Sequence, residues 1–170
     1  VLLRPYQLEE DAMTIHKKIL LLSAICSLIA VGAQAAATLK VGKVSGKAGA
    51  TVSVPVTLNS APGSVASLQF DLTLPIGVST VSVTAGSLMT ASGKSVSANL
   101  KENVWTFLVY GAKNKNAIEK GLLLTALVRI APGTAAGTLS VPISNTVYVG
   151  ADGEAVKGGP GVGGFIKVIP

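Results

Sequence analysis

From Leu39 onward the chain is written in short runs that alternate apolar and polar side chains, punctuated by Gly, Pro, Asn and Asp. Successive side chains of a strand point to opposite faces, so a period of two specifies a sheet that buries one face only. In residues 51–58, Val52, Val54, Val56 and Leu58 fall on one side, and Thr51, Ser53, Pro55 and Thr57 on the other. Pro55 cannot donate to a ladder, which predicts an edge or a bulge there. Residues 65–74 repeat the pattern, with Leu68, Phe70, Leu72 and Leu74 inward and Ser67, Gln69, Asp71 and Thr73 outward. Further runs cover 39–44, 78–85, 95–100, 104–110, 122–130, 139–149 and 165–169. The run at 122–130 is apolar on both faces, and its flanks, Gly121 and Pro132-Gly133, favour a buried strand over a helical turn. After residue 35 no segment holds helical spacing over three turns. Nine such runs with turn signals between most of them predict an all-β sandwich.

Composition supports that reading where it bears on partners. Only 13% of the chain is charged, against about 25% in an ordinary domain. The net charge of +6 raises the question of nucleic acid. The basic residues after position 35, from Lys40 to Lys167, are spread along the chain rather than clustered. A phosphate-binding stripe needs clustered bases, usually with aromatics to stack on, so no nucleic-acid partner is expected.

Residues 13–35 read as an export signal. Met13, Lys17 and Lys18 supply a positive start, 19–31 is an apolar run broken only by Ser23 and Ser27, and Ala33-Gln34-Ala35 is a small-residue cleavage pattern. The run is too short to span a bilayer. Cleavage near Ala35-Ala36 predicts a secreted product, extracellular or periplasmic, with no membrane span in the mature chain. Residues 1–12 carry Arg4, Glu9, Glu10 and Asp11 ahead of this segment and read as a leader from a start called too early. The expected organisation is therefore a leader over 1–12, a signal peptide over 13–35 and one β-sandwich domain over 36–170. Cys26, the single cysteine, and His16, the single histidine, both fall in the part to be removed.

Without Cys or His, the mature chain has neither thiolate nor imidazole for nucleophilic catalysis or metal binding. Its five carboxylates are Asp71, Glu102, Glu119, Asp152 and Glu154. Asp152-Gly153-Glu154 reads as a solvated turn, Asp71 as an outward strand residue and Glu102 as a hairpin tip, so no glycosidase pair stands out. Gly159, Gly161 and Gly164 match the spacing G-x-G-x-x-G, but a dinucleotide site needs a helix after that motif and here a strand follows. These observations predict a non-enzyme with no cofactor and no metal.

Several stretches, in order and spacing, resemble the cohesin family over nearly the whole of 36–170. They are Leu39-Lys40-Val41-Gly42 with Lys47-Ala48-Gly49-Ala50-Thr51-Val52-Ser53-Val54-Pro55-Val56, then Val65-Ala66-Ser67-Leu68-Gln69-Phe70-Asp71-Leu72. Val81-Ser82-Val83-Thr84-Ala85-Gly86 and Asn116-Ala117-Ile118-Glu119-Lys120-Gly121-Leu122-Leu123-Leu124-Thr125-Ala126-Leu127 follow. The opening V-G-x-x-x-G-x-x-G-x-T-V-x-V-P-V is the most specific part. The resemblance implies a nine-stranded jelly-roll β-sandwich that binds a dockerin module, carried in cellulose-degrading assemblies by polysaccharide-degrading enzymes. It also implies that one sheet face, from the third, fifth, sixth and eighth strands, makes the contact. The fold resembles that of certain cellulose-binding modules too, so carbohydrate binding is a second expectation and a structural or adhesive surface role a third. This sequence departs from the family pattern at Leu74-Pro75-Ile76, where cohesins carry a Tyr-Asp-Pro-type turn. It departs again at Ser67 and Gln69, which align with an Asn and an Asp, and near Gly111, which aligns with an acidic residue.

Alternation alone supplies a candidate face. If Trp105, Phe107 and Val109 point inward, then Thr106, Leu108 and Tyr110 point out beside Ser67, Gln69 and Asp71. An outward Leu beside a Tyr in polar surroundings suits a protein partner. The opposite parity would expose Trp105 and favour a polysaccharide. Lys113-Asn114-Lys115-Asn116 reads as a solvated loop.

Overall fold

The computed structural model describes residues 36–170; the leader and export signal expected over 1–35 lie outside the described residues. In chain order the elements are β1 (Thr38–Val41), β2 (Lys43–Lys47), β3 (Thr51–Asn59), β4 (Ser67–Thr73), β5 (Val78–Ala85) and a short helix α1 (Ser87–Ser92). There follow β6 (Ser95–Lys101), β7 (Val104–Tyr110), β8 (Gly121–Ile130), β9 (Gly137–Val141), β10 (Ile143–Val149) and β11 (Gly164–Ile169). They pair into sheets ordered β1-β3-β8-β5, β10-β4-β7-β6 and β2-β11-β9. Inward residues of all three form one core cluster, and the architecture is the all-β sandwich that the alternation predicts, in the jelly-roll form that the resemblance implies. Among the described residues no helix is long and apolar enough to cross a membrane.

Two of the nine runs each serve two sheets, which is why eleven strands are found. The first changes sheet at Gly42: β1 pairs antiparallel with β3, while β2 runs parallel to β11. The Gly42 amide donates to the Pro55 carbonyl at 2.8 Å, and a side chain at Gly42 would strike the Pro55 ring. Pro55 thus sits in a strand paired on both sides, not on a sheet edge. Its missing donor falls opposite Gly42, where β1 ends, and one residue before the register shift at Val56/Thr57. The eighth run divides at Pro142 in the same way, with β9 joining β11 and β10 joining β4. A proline interrupts a ladder, and here it marks the crossing.

The strand with two apolar faces, β8, is the centre of its sheet, paired with β3 and β5. Helix α1 has no counterpart in the alternation, since six residues are too few to show a helical period. It ends in a Schellman-type cap: Gly93 takes a left-handed φ of 64°, and the Lys94 amide donates back to the Met89 carbonyl at 2.8 Å. Met89 is fully buried and anchors the helix to the core.

The core beneath the sheet β10-β4-β7-β6 is built from Leu68, Phe70, Leu72, Phe107 and Val109, all buried. Phe70 and Phe107 are direct cross-strand partners whose rings stack 5.0 Å apart, and Trp105 stacks on Phe107 at 5.8 Å. Each such side chain contributes roughly 1.5–3 kcal/mol by burial. The outer face of this sheet therefore rests on a rigid aromatic row.

Candidate docking face

Directly opposed residues of an antiparallel pair share a face, so register determines what the outside of this sheet presents. Gln69 lies opposite Leu108, and Asp71 opposite Thr106. Across β7, Tyr110, Leu108 and Thr106 face Ser95, Ser97 and Asn99 of β6. Across β4, Gln69 faces Val147, Asp71 faces Ser144 and Ser67 faces Val149, all on β10. One row therefore reads Val147–Gln69–Leu108–Ser97, and the next Ser144–Asp71–Thr106–Asn99. The six residues picked out by alternation (Ser67, Gln69, Asp71, Thr106, Leu108 and Tyr110) occupy one outer face, on the sheet made by the third, fifth, sixth and eighth runs.

The apolar content of this face is exposed. Leu108 keeps 41% of its surface, Tyr110 39% and Val147 48%. Around them stand small polar side chains and one carboxylate, Asp71. Ser67 turns its hydroxyl back, donating to the Val109 carbonyl at 2.6 Å, which leaves its methylene outward. Asp71 accepts a 2.7 Å hydrogen bond through Oδ2 from Nδ2 of Asn145, while its Oδ1 has no partner.

Sequence reasoning missed the β10 contribution, Val147 and Asn145, and the β6 contribution, Ser97 and Asn99. The cause in β10 is a bulge between Ser144 and Val147, at which Asn145 takes a left-handed φ of 48°. An extra residue reverses the apparent parity of everything after it, so alternation through 139–149 could not be read. In β6 the cause is weak polarity contrast, since Ala98 and Leu100, which share the inward parity, are themselves exposed at this edge.

Parity in β7 resolves as Trp105 inward. The ring is partly buried, and its Nε1 donates to Thr80 Oγ1 at 2.8 Å, tying this sheet to β5 of the other. Tyr110 is then the single aromatic ring exposed on the face. A flat sugar platform uses several exposed rings, and that arrangement is not built here.

The end of the face beyond Tyr110 is closed by residues 111–118. Ile118 is buried and its amide donates to the Val65 carbonyl at 2.7 Å. Asn114 is held by Nδ2 donating to the Ser92 carbonyl at 2.8 Å, and its own carbonyl accepts from Lys94 Nζ at 2.9 Å. Lys94 is only 7% exposed, and burial pushes its ammonium below the ordinary lysine range. Part of the expected solvated loop at 113–116 is therefore a latched segment: Asn114 is tied down while Lys113 and Lys115 remain exposed. Among the described residues, no group of three or more His, Cys, Asp or Glu is placed to hold a metal ion.

Comparison with known proteins agrees with the fold. The model of the cohesin domain matches residues 37–162. No curated protein sequence matches the chain. Among solved structures, a non-cellulosomal cohesin from the archaeon Archaeoglobus fulgidus is 19% identical, with a TM-score of 0.68, over 80% of this chain and 93% of that one. A type I cohesin–dockerin complex from Clostridium thermocellum gives 18% identity and a TM-score of 0.71, over 79% of this chain and 100% of that one. The third ScaC cohesin of Acetivibrio cellulolyticus, solved with the ScaB dockerin, gives 24% and 0.68, over 79% and 99%. With the family model covering most of its length and the sheets arranged as described, the chain belongs to the cohesin family, a family of non-catalytic protein-binding modules.

Proposed function

We propose that this chain is a secreted cohesin that docks a dockerin module through the outer face of β10-β4-β7-β6. The observation that carries the reading is the exposure of Leu108 and Tyr110 on β7 and of Val147 on β10, on one outer face with Gln69 of β4 between Val147 and Leu108, among polar side chains. An apolar centre with a polar rim is what protein recognition requires. Two of the similar structures described above are complexes in which a cohesin holds a dockerin, which supports the same partner class here. In the finer form of the proposal, the dockerin belongs to an extracellular polysaccharide-degrading protein. Export through residues 13–35 brings the two together, and the exported chain begins at Ala36.

The test is a pull-down of calcium-loaded dockerin modules, encoded by the same organism, on immobilised residues 36–170, which hold the whole described core. Parallel samples contain a chelator, and a cellulose-retention assay runs beside them. Capture lost with chelator supports docking. Retention on cellulose with no dockerin captured would replace this reading by a carbohydrate-binding one. Terminal sequencing of the exported protein checks the start at Ala36.

A further inference from the structure

Among the described residues the outer face carries one hydrogen-bonded pair of side chains, Asn145 and Asp71. Asn145 occupies the bulge of β10 with φ at 48°, a region that costs ordinary residues and that Gly enters freely. Of the nine other positive-φ positions among the described residues, seven hold Gly and the other two are Glu102 and Lys113. At 145 the chain has Asn, with the side chain bonded across to Asp71 on the neighbouring strand at 2.7 Å. Asn and Gly both serve that backbone conformation, but only Asn makes the cross-strand bond, so the amide is the feature to explain.

That bond fixes which way the amide points. Oδ2 of Asp71 accepts only, so it must be met by the NH2 end of Asn145, and the Asn145 carbonyl oxygen is turned away from Asp71. Asp71 is itself half-covered, and its Oδ1 lies out of reach of solvent with no partner. Asp71 is thus poorly placed to be touched directly, whereas Asn145 is exposed, in a polar row next to the row of Val147 and Leu108.

We infer that Asn145 is the specificity-determining polar residue of the docking face. It offers its oriented amide oxygen to a hydrogen-bond donor on the docked dockerin, and Asp71 acts as the positioning residue that sets that orientation. This rests on the docking function proposed above and names one recognition element within it. A partner lacking a donor there leaves a desolvated carbonyl unpaired, and that penalty is what discriminates between otherwise similar apolar surfaces.

The experiment is calorimetric titration of a calcium-loaded dockerin captured by the wild-type chain. Asn145→Gly keeps the backbone conformation and removes the amide. It should lower the urea midpoint by no more than loss of the Asp71 bond, as Asp71→Asn gauges, and weaken binding about ten-fold or more, as expected when the hydrogen bond to the partner is lost as well. Asp71→Asn frees the amide to rotate and should weaken binding by a smaller factor. Asn145→Asp supplies a signature that mere structural support would not give. Two carboxyls at hydrogen-bond distance share one proton at low pH, and the introduced carboxyl, once protonated, donates to Asp71 as the amide did. Its binding should recover as pH falls and fail as pH rises, relative to wild type at each pH. The other titratable side chains of this face, Lys101 and Tyr110, are common to both proteins. Unchanged affinity in Asn145→Gly, or a flat pH profile in Asn145→Asp, overturns the inference while docking stands. If wild type binds no dockerin, both fall together.

Discussion

The sandwich has two broad outer faces made by the same rule, and they differ in what they leave exposed. The face of β1-β3-β8-β5 presents Thr51, Ser53, Pro55 and Thr57 from β3, with Thr125, Leu127 and Arg129 from β8 and Ser79, Ser82 and Thr84 from β5. Its charges are basic, Lys40 and Arg129. Its exposed apolar residues stand apart, Leu122 near the start of β8 and Val81 in the bulge of the edge strand β5. The face of β10-β4-β7-β6 instead exposes Val147 and Leu108 in one row, with Gln69 between them, and Tyr110 at the end of β7, with the lone carboxylate Asp71 in the next row. Threonine and serine on a strand need no partner beyond water. Exposed Leu and Tyr on one rigid face suit a partner that removes them from water. The difference is the ground on which we propose docking for one face and solvent for the other.

The comparison breaks most completely if the floor under the docking face is removed. Phe107→Ala deletes the ring stacked between Phe70 and Trp105 and should cost about 3–5 kcal/mol in urea unfolding. Binding should disappear with the fold. A loss below about 1 kcal/mol would show that the aromatic row is not the support described here.

The comparison is sharpened by matched charges on the two faces. Leu108→Asp should weaken dockerin binding about a hundred-fold or more, as for a central interface residue, while Thr125→Asp on the other face leaves it unchanged. Stability of both variants should stay within about 1 kcal/mol of wild type, since both positions are surface sites. Equal losses of binding would remove the distinction between the faces. A smaller effect comes from the link between the sheets. Trp105→Phe loses the hydrogen bond to Thr80 and should cost about 1 kcal/mol in stability, with binding preserved. Strong loss of polysaccharide retention in that variant would revive the sugar-platform reading.

The smallest effect is a pH dependence at the latched end of the face. The folded state holds Lys94 below its usual pKa of 10.5, so near that range the unfolded chain binds more protons than the folded one. Stability therefore gains from Lys94 as pH rises through the lowered folded value toward 10.5, and is penalised below it. Lys94→Met should abolish that increment, measured as the difference between wild type and variant from about pH 7 to about pH 9.5. Parallel curves would place Lys94 in water.

How much was readable before the structure follows the same physics. In β3, β4 and β7 burial alternates along much of the strand, so parity turned Gln69 outward directly and left Leu108 and Tyr110 as one of two choices for β7, which the structure decides. The third, fifth, sixth and eighth runs were expected together from family resemblance, and the register joins them. Alternation failed where strand geometry is irregular. Pro142 and Gly42 split runs that look continuous, since a change of sheet does not interrupt hydrophobicity. The bulge at Asn145 hid Val147 by shifting parity, and α1 was too short to show a period. Cross-strand contacts such as Asn145 to Asp71, 74 positions apart, have no local signature.

The most direct measurement of the central claim is a binding footprint. Backbone amide resonances of residues 36–170 would be followed by NMR as a calcium-loaded dockerin from the same organism is added. The changes should concentrate on β4, β7 and β10 around Gln69, Leu108, Tyr110, Asn145 and Val147, with β3 and β8 silent at Ser53 and Thr125. Changes concentrated on β3 and β8 instead, or none at saturating dockerin, would contradict the assignment of docking to this face.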